Sequence, residues 1–398
     1  MKKLFQINEC LGLSTGKIAQ QIGEVAIEHG WDSWIAYSGR EPYVESKSHI
    51  IGIGNFIDGC LHYAGYRLFD GEGLYSKYYT KTLVEKIKKV SPDIILLHNI
   101  HDHWLNYPLL FDYFSTLDIP IVWVQHDCWS FTGGCMYFDM IGCDNWKTGC
   151  KKCPDKRTII VNQSERNFKL MSDHLSKIKN LVYVPVSYWL KNLMLQSSQS
   201  ARKMLTIHNG IDLNAFNFNP NRKNTRDKFR ILGVAGVWAE RKGLGDFVKL
   251  RAKLPDEYEI LLVGLSEKQR RQLPHGIIGI GRTQTTEELA AIYADSDVYV
   301  NPTYSDNFPT TNIESLACGT PVITYNTGGS PEAIDNKTGI IVNQGDVNTL
   351  ALSIMKLREY PLSPTDCRKR AVDFFDKNKC FSKYIQLFED LLNANYYA

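Results

Sequence analysis

At 398 residues, with 43% apolar and 22% charged side chains, the chain has an ordinary globular composition and the length for two or three domains. A net charge of +3 argues against a nucleic-acid partner and leaves only a weak attraction to an anionic membrane surface. No run approaches the roughly 20 apolar residues of a spanning helix, and MKKLFQINE is too briefly apolar for a signal peptide. The expectation is a cytoplasmic chain, in which the sequon at Asn162 carries no meaning and ten cysteines are no disulfide framework.

Residues 3–7 read as a strand, 10–15 as a Gly/Ser loop, and 16–28 as an amphipathic helix with Ile18, Ile22, Val25 and Ala26 on one face. Strands follow at 34–37, 93–98, 119–125 and 181–185, with helices at 78–89, 105–114 and 188–196. Apolar strands alternating with helices predict a parallel sheet covered on both faces. A polar linker at 217–228 precedes a restart of the rhythm. Strands are expected at 229–234, 258–263, 277–280 and 298–301, and helices at 244–253 and 286–294, the latter capped by Thr285 or Thr286. Residues 366–395 read as helical and as packing back toward the first domain. Two open α/β domains predict a ligand cleft between their strand C-terminal edges.

The richest stretch is YSDNFPTTNIESLACGTPVITY, residues 304–325. Pro309 suits a first helical position, Asp306 and Asn307 suit caps, and Gly319 suits the left-handed close before a short buried strand at 321–325. A helix N-terminus attracts phosphate. Glu314 lies too far along to cap, and its carboxylate can accept from two adjacent hydroxyls, as in a ribose diol. The plainer reading is a capped, solvated helix.

Other loops carry related chemistry. Gly12-Leu-Ser-Thr-Gly16-Lys17 can offer amides to a phosphate, or is a tight turn; its spacing is not that of a P-loop. Arg241 and Lys242, beside Gly243 after a strand, suit a diphosphate, or form a solvated basic turn. His126 closes a strand and can donate to a sugar hydroxyl or a phosphate, or is a satisfied structural histidine. Cys135, Cys143, Cys150 and Cys153 lie in a Gly-rich insert at about 128–155, and the two-residue spacer of the last pair suits a structural zinc, with free buried thiols as the alternative.

Together these residues resemble the retaining glycosyltransferases of family 4, which have the GT-B fold, over nearly the whole chain. Asp306 and Glu314 with SLACGTPV resemble the family's carboxylate-x7-Glu signature. HNGIDLNAF at 208–216, Arg241-Lys242-Gly243, Ser14-Thr15-Gly16, His126-Asp127 and Thr327-Gly328-Gly329 before Pro331-Glu332 are similar to further family segments. The resemblance implies two Rossmann-like domains, 1–215 and 216–375, facing each other across a nucleotide-sugar cleft, and a C-terminal helix at 376–398 crossing back. It implies that Glu314 binds the ribose and that Arg241 and Lys242 hold the diphosphate without a catalytic metal. By the same resemblance, His126 and Asp306 contact the donor sugar, and Gly16, Asn307, Phe308, Pro309, Thr310 and Thr311 line the donor site. The donor would be a UDP or GDP sugar and the acceptor a saccharide or lipid-linked saccharide at the inner membrane face. Two positions depart from the pattern: Asp306 stands where the family has Glu, and Pro309 where it has Gly, removing one amide donor. A sugar-nucleotide epimerase on the same fold and a metal-stapled adaptor are the competing readings.

Overall fold

The computed structural model describes residues 1–41, 44–155, 157–220 and 226–393. Residues 221–225 of the expected linker, and 394–398 of the expected terminal helix, lie outside the described residues. The chain divides into two units, Met1–His208 together with the segment from Phe381 onward, and Asn209–Cys380.

In the first unit, six parallel strands are found among the described residues: β1 (Lys3–Ile7), β2 (Asp32–Tyr37), β3 (His49–Gly52), β4 (Ile94–Leu97), β5 (Ile121–Gln125) and β6 (Leu181–Pro185), in the order β3-β2-β1-β4-β5-β6. Phe5 is in register with Trp34 on one side and Ile95 on the other. β4 and β5 are buried along their whole length, which is why they read as uninterrupted apolar runs. The helix Lys77–Val90 buries Leu83, Val84, Ile87 and Val90 and turns its lysines outward. Asn106 caps the helix Tyr107–Phe114 by accepting from the Leu109 amide at 3.0 Å.

The second unit repeats the plan with β7 (Phe229–Val234), β8 (Tyr258–Val263), β9 (Ile277–Ile280), β10 (Val298–Asn301), β11 (Val322–Tyr325) and β12 (Gly339–Val342), ordered β12-β11-β10-β7-β8-β9. Both sheets therefore reverse their winding at one point, between β1 and β4 and between β7 and β10. In open parallel sheets the crevice beyond the strand C-termini at such a point is where ligands bind.

The expected strands coincide with observed ones to within two residues. Several elements were not expected. β3 is a four-residue edge strand, too short to show alternation. The helix Phe56–Phe69 contains Gly59 and Gly65 and keeps only Gly59 and His62 buried, so it shows no inward apolar stripe. The helix Ser164–Lys177 buries two apolar residues, Met171 and Leu175. The expected terminal helix is two helices, Pro364–Phe374 and Lys377–Leu392. The chain breaks between them because Ile211 inserts there: its amide donates to the Phe375 carbonyl at 2.7 Å, and its carbonyl accepts from the Lys377 amide at 3.0 Å. Lys377 also pairs with Asp212 at 2.7 Å. These contacts place the segment from Asn209 in the second unit, ahead of the expected boundary at 216. From Phe381 the last helix packs on the first unit instead, with Phe388 against Trp31 and Glu389 on Lys2.

Candidate active site

In the second unit, β7 runs out into a loop anchored by Trp238, whose indole donates to the Val263 carbonyl at 2.9 Å. A 3-10 turn, Glu240–Lys242, follows and ends on Gly243 with φ +73°. A Cβ on Gly243 would lie 2.2 Å from the Pro302 carbonyl oxygen. That close approach zips the basic turn onto the loop after β10. The Arg241 carbonyl accepts from the Tyr304 amide at 2.7 Å and the Thr303 hydroxyl at 3.1 Å, and its guanidinium donates to the Ser305 carbonyl at 2.9 Å. Lys242 pairs with the Asp306 carboxylate, and Arg241 stands 3.9 Å from it. Arg241, Lys242 and Asp306 thus form one cluster beside the start of the helix Thr310–Ala317.

That start differs from the expectation. Pro309 is the N-cap and not the first helical residue, and no side chain caps the helix. Asp306 is held by the two cations, so neither it nor Asn307 serves as the cap. Phe308 is buried against Phe375, so only its backbone can face a donor. Gly319, with φ +81°, takes the left-handed position after the helix, as its sequence context requires.

Glu314, on the second turn, accepts from the Tyr293 hydroxyl at 3.0 Å. Burial, then the neighbouring Glu314 charge, pushes the Tyr293 phenol well above its usual pKa, so it stays a donor. Asn312 ties the same helix to its surroundings, accepting from the Asn301 amide at 2.9 Å and donating to the Ser330 carbonyl at 3.0 Å. Gly328, with φ +56°, lets the Thr327–Ser330 turn fold over Asp306, whose carbonyl accepts from the Gly329 amide at 3.2 Å. Behind the site, one oxygen of buried Asp246 accepts from Tyr304 at 2.7 Å and Tyr325 at 2.9 Å. Sequence reading missed Asp246, Tyr293 and Asn312, since buried polar partners have no periodicity; the signal available was a Tyr, an Asn or an Asp inside an otherwise apolar helix face.

In the first unit the chemistry also gathers at strand C-termini. Gln6 donates to the Ala19 carbonyl at 2.9 Å, which turns its amide oxygen toward His98 Nε2 at 3.1 Å. His98 Nε2 is therefore the protonated nitrogen, and its Nδ1 accepts from His126 Nε2 at 3.1 Å. Burial lowers the pKa of His126 to about 4 and that of His98 well below normal, so both are neutral. The structure assigns the His126 Nε2 proton to His98, whereas the sequence reading has it donate to a ligand; Nδ1 is left with acceptor character.

Beside it, buried His101 lies 2.7 Å from Asp127 and 3.0 Å from Asp102. Burial opposes its charge, but the two carboxylates outweigh burial and raise its pKa well above normal. Asp102 and His103 both have left-handed backbones, φ 70° and 65°, a strained pair held by Arg40, which donates to the Asp102 carbonyl at 2.6 Å and pairs with Glu9. Sequence reading named none of His98, His101, Asp102 or Arg40.

The glycine loop is corrected. The helix begins at Ser14, so Gly16 lies inside its first turn, where a Cβ would sit 2.4 Å from the Leu11 carbonyl oxygen. The Gly12 amide, at the start of the expected phosphate loop, points with the Leu11 amide at the Glu41 carboxylate, at 2.9 and 2.7 Å.

Two parallel α/β sheets of one strand order, one of them carrying a basic turn locked to an acid-bearing helix, define the GT-B class of glycosyltransferase architecture. Residues 216–373 match the family model described as Glycosyl transferases group 1. Over 397 residues the chain is 22% identical to a protein described as a colanic acid biosynthesis glycosyl transferase, WcaC, of Escherichia coli (strain K12), covering 94% of this chain and 95% of the relative. It is 36% identical over 155 residues to a D-inositol 3-phosphate glycosyltransferase of Paenarthrobacter aurescens (strain TC1), covering 34% of this chain and 38% of that one. Among solved structures, a sucrose-phosphate synthase from Thermosynechococcus elongatus superposes with a TM-score of 0.77 at 18% identity, covering 99% of this chain and 100% of the other. Anabaena Alr3699/HepE in complex with UDP superposes with a TM-score of 0.67 at 14% identity, covering 98% and 100%. The chain is thus similar to glycosyltransferases along nearly its whole length, and to the group 1 family over residues 216–373.

Proposed function

We propose that this glycosyltransferase moves a sugar from a nucleoside-diphosphate sugar to a saccharide or lipid-linked saccharide in surface-polysaccharide assembly, with retention of anomeric configuration. The observation that carries the reading is the cluster of Arg241 and Lys242 with Asp306, next to the N-terminus of the helix that bears Glu314. Two cations and a helix terminus together suit a diphosphate, and stabilise it more strongly as charge develops on the leaving group. Glu314, oriented by Tyr293, suits the ribose diol. Asp306, paired with Lys242 beside the start of that helix, suits a contact with the donor's sugar. The acceptor hydroxyl would attack from the face the diphosphate leaves, with a leaving phosphate oxygen taking its proton. The UDP in the HepE structure favours uridine as the base to test first. Calorimetry with UDP and GDP is the direct experiment: saturable binding of one, weakened in Glu314→Ala, is expected, and binding of neither overturns the reading.

We propose further that the first unit rests on an anionic bilayer. No helix among the described residues is long and apolar enough to cross a membrane. The helix Phe56–Phe69 nevertheless turns Phe56, Ile57 and Leu61 outward, at 73%, 70% and 69% exposure. Charge complementarity supports a bilayer as the occupant. Asn55 donates to the Tyr79 hydroxyl at 2.6 Å and Ser76 to Asp58 at 2.6 Å, so this helix is tied to the start of Lys77–Val90, where Lys77, Tyr78 and Lys81 are exposed. Each basic residue near an anionic surface contributes about 1 kcal/mol. Co-sedimentation with phosphatidylglycerol vesicles, lost in Phe56→Ser/Leu61→Ser, is expected. Absence of sedimentation at low salt overturns the proposal, as does a dimer abolished by the same substitutions, which would give the face to a second copy.

A further inference from the structure

The segment from Cys128 to the helix Ser164–Lys177 contributes none of the site residues described above. Among its described residues it contains three 3-10 turns, Trp129–Phe131, Asp139–Ile141 and Asn145–Lys147, and no strand or α-helix. A stretch of this length without a hydrogen-bonded ladder needs a staple to hold one conformation.

Its chemistry converges on one cavity, lined by Cys135, Cys143, Cys150 and Cys153 and walled by Phe138 and Trp146. Trp146 is fully buried, 4.9 Å from Phe138 and 5.4 Å from Phe131 between ring centroids, so the cavity has a dry aromatic side. Its sulfurs receive donors that suit thiolates. The Gly133 amide donates to Cys150 Sγ at 3.1 Å, the Arg157 guanidinium donates to Cys135 Sγ at 3.2 Å, and the backbone of Asp155 hydrogen-bonds Cys153. Arg157 is buried and braced by Asp70 at 3.1 Å, so a cation is fixed beside the cluster. Four thiolates around a divalent cation carry two net negative charges, and the guanidinium, shared with Asp70, offsets part of that. The turn between the last two cysteines is strained: Cys150 and Lys152 have left-handed backbones, φ 55° and 51°, without being glycine. Strain of that kind persists only where the surroundings over-determine it.

We propose that Cys135, Cys143, Cys150 and Cys153 bind one Zn2+ as a four-thiolate structural site that holds this segment in place. Tetrahedral ligation at about 2.3 Å per Zn–S bond brings the sulfurs to about 3.8 Å from one another. Their side chains turn inward to reach it, since among the described residues the set of candidate ligand atoms already within 4.8 Å of one another is His62, Glu72 and His103. That trio is a poorer site despite its spacing. His62 Nε2 accepts from the Gly73 amide at 3.0 Å, His62 Nδ1 is 2.9 Å from Ser76 Oγ, and Glu72 is paired with His103. Both nitrogens of His62 are spent on the fold, whereas the cysteine sulfurs keep lone pairs for a metal.

The test uses the full chain purified without a His-tag. Elemental analysis is expected to give about one zinc per chain, released stoichiometrically when an organomercurial titrates the thiols. Cys153→Ser is expected to lower zinc content and expose Lys147, Lys151 and Lys152 to trypsin, whereas Cys60→Ser, at an exposed cysteine outside the cluster, leaves both unchanged. If Cys153→Ser fails to fold, wild type refolded with cobalt provides the answer, through the absorption of tetrahedral cobalt–thiolate. Zinc far below one per chain, no cobalt–thiolate band, or a Cys135–Cys153 disulfide in the purified protein overturns the proposal. None of these readouts depends on donor binding.

Discussion

Replacing Lys242 by alanine is expected to lower kcat/KM by about 10²–10³-fold, the usual cost of losing one preorganised donor to a developing negative charge. The expectation follows from how Lys242 is held. Its turn is fixed by main-chain bonds from Arg241 to Tyr304 and Thr303, and these survive the substitution. The loss therefore falls on charge and leaves the fold in place. It is twofold: the diphosphate loses a cation, and Asp306 loses the nearer of its two cations and becomes a less screened, repelling charge beside the incoming phosphates. Lys242→Ala/Asp306→Asn should recover part of the activity, because it removes the second penalty and leaves the first. Steady-state kinetics with the donor identified by calorimetry decides the matter. Near-normal turnover in Lys242→Ala removes this residue from the site, and full additivity of the two substitutions removes the ion pair from the account.

Gly328→Ala is expected to be the most damaging single-methyl change in the second unit. The new Cβ would lie 1.8 Å from the Asp306 carbonyl oxygen, in a backbone conformation with φ +56°. Neither the methyl nor the main chain opposite can yield without breaking the Gly329–Asp306 hydrogen bond. Strain and lost bonding together should cost about 3 kcal/mol, and lower Tm by roughly 6–12 °C for a unit of this size. Thermal unfolding followed by circular dichroism checks it; an unchanged Tm would mean that the turn over Asp306 is not packed as described. Gly245, with nothing near its Cβ position, is the control.

The contrast between these residues explains what could be read in advance. Strands such as β4 and β5 are legible because burial on both faces leaves nothing but apolar side chains, and Thr285 announces its helix because a cap is a local device. Arg241, Lys242, Asp306 and Glu314 stand out because charge next to glycine and proline in a loop is costly without a purpose. What failed was non-local. Asp306 reads as a cap from its neighbours, yet a turn 64 residues away claims it. His126 reads as a ligand donor until His98, just beyond another strand, accepts its Nε2–H. The break before Lys377 comes from Ile211, far away in the chain. The helix Phe56–Phe69 was invisible because its apolar residues face outward.

The Glu41 carboxylate between the Leu11 and Gly12 amides has a consequence for ligand exchange in the first unit. Two adjacent N–H groups converging on one oxygen are already in the arrangement that an anion demands, so no backbone has to reorganise when a different anion replaces Glu41. The exchange cost then lies in withdrawing a flexible side chain, a matter of rotamers in place of loop refolding.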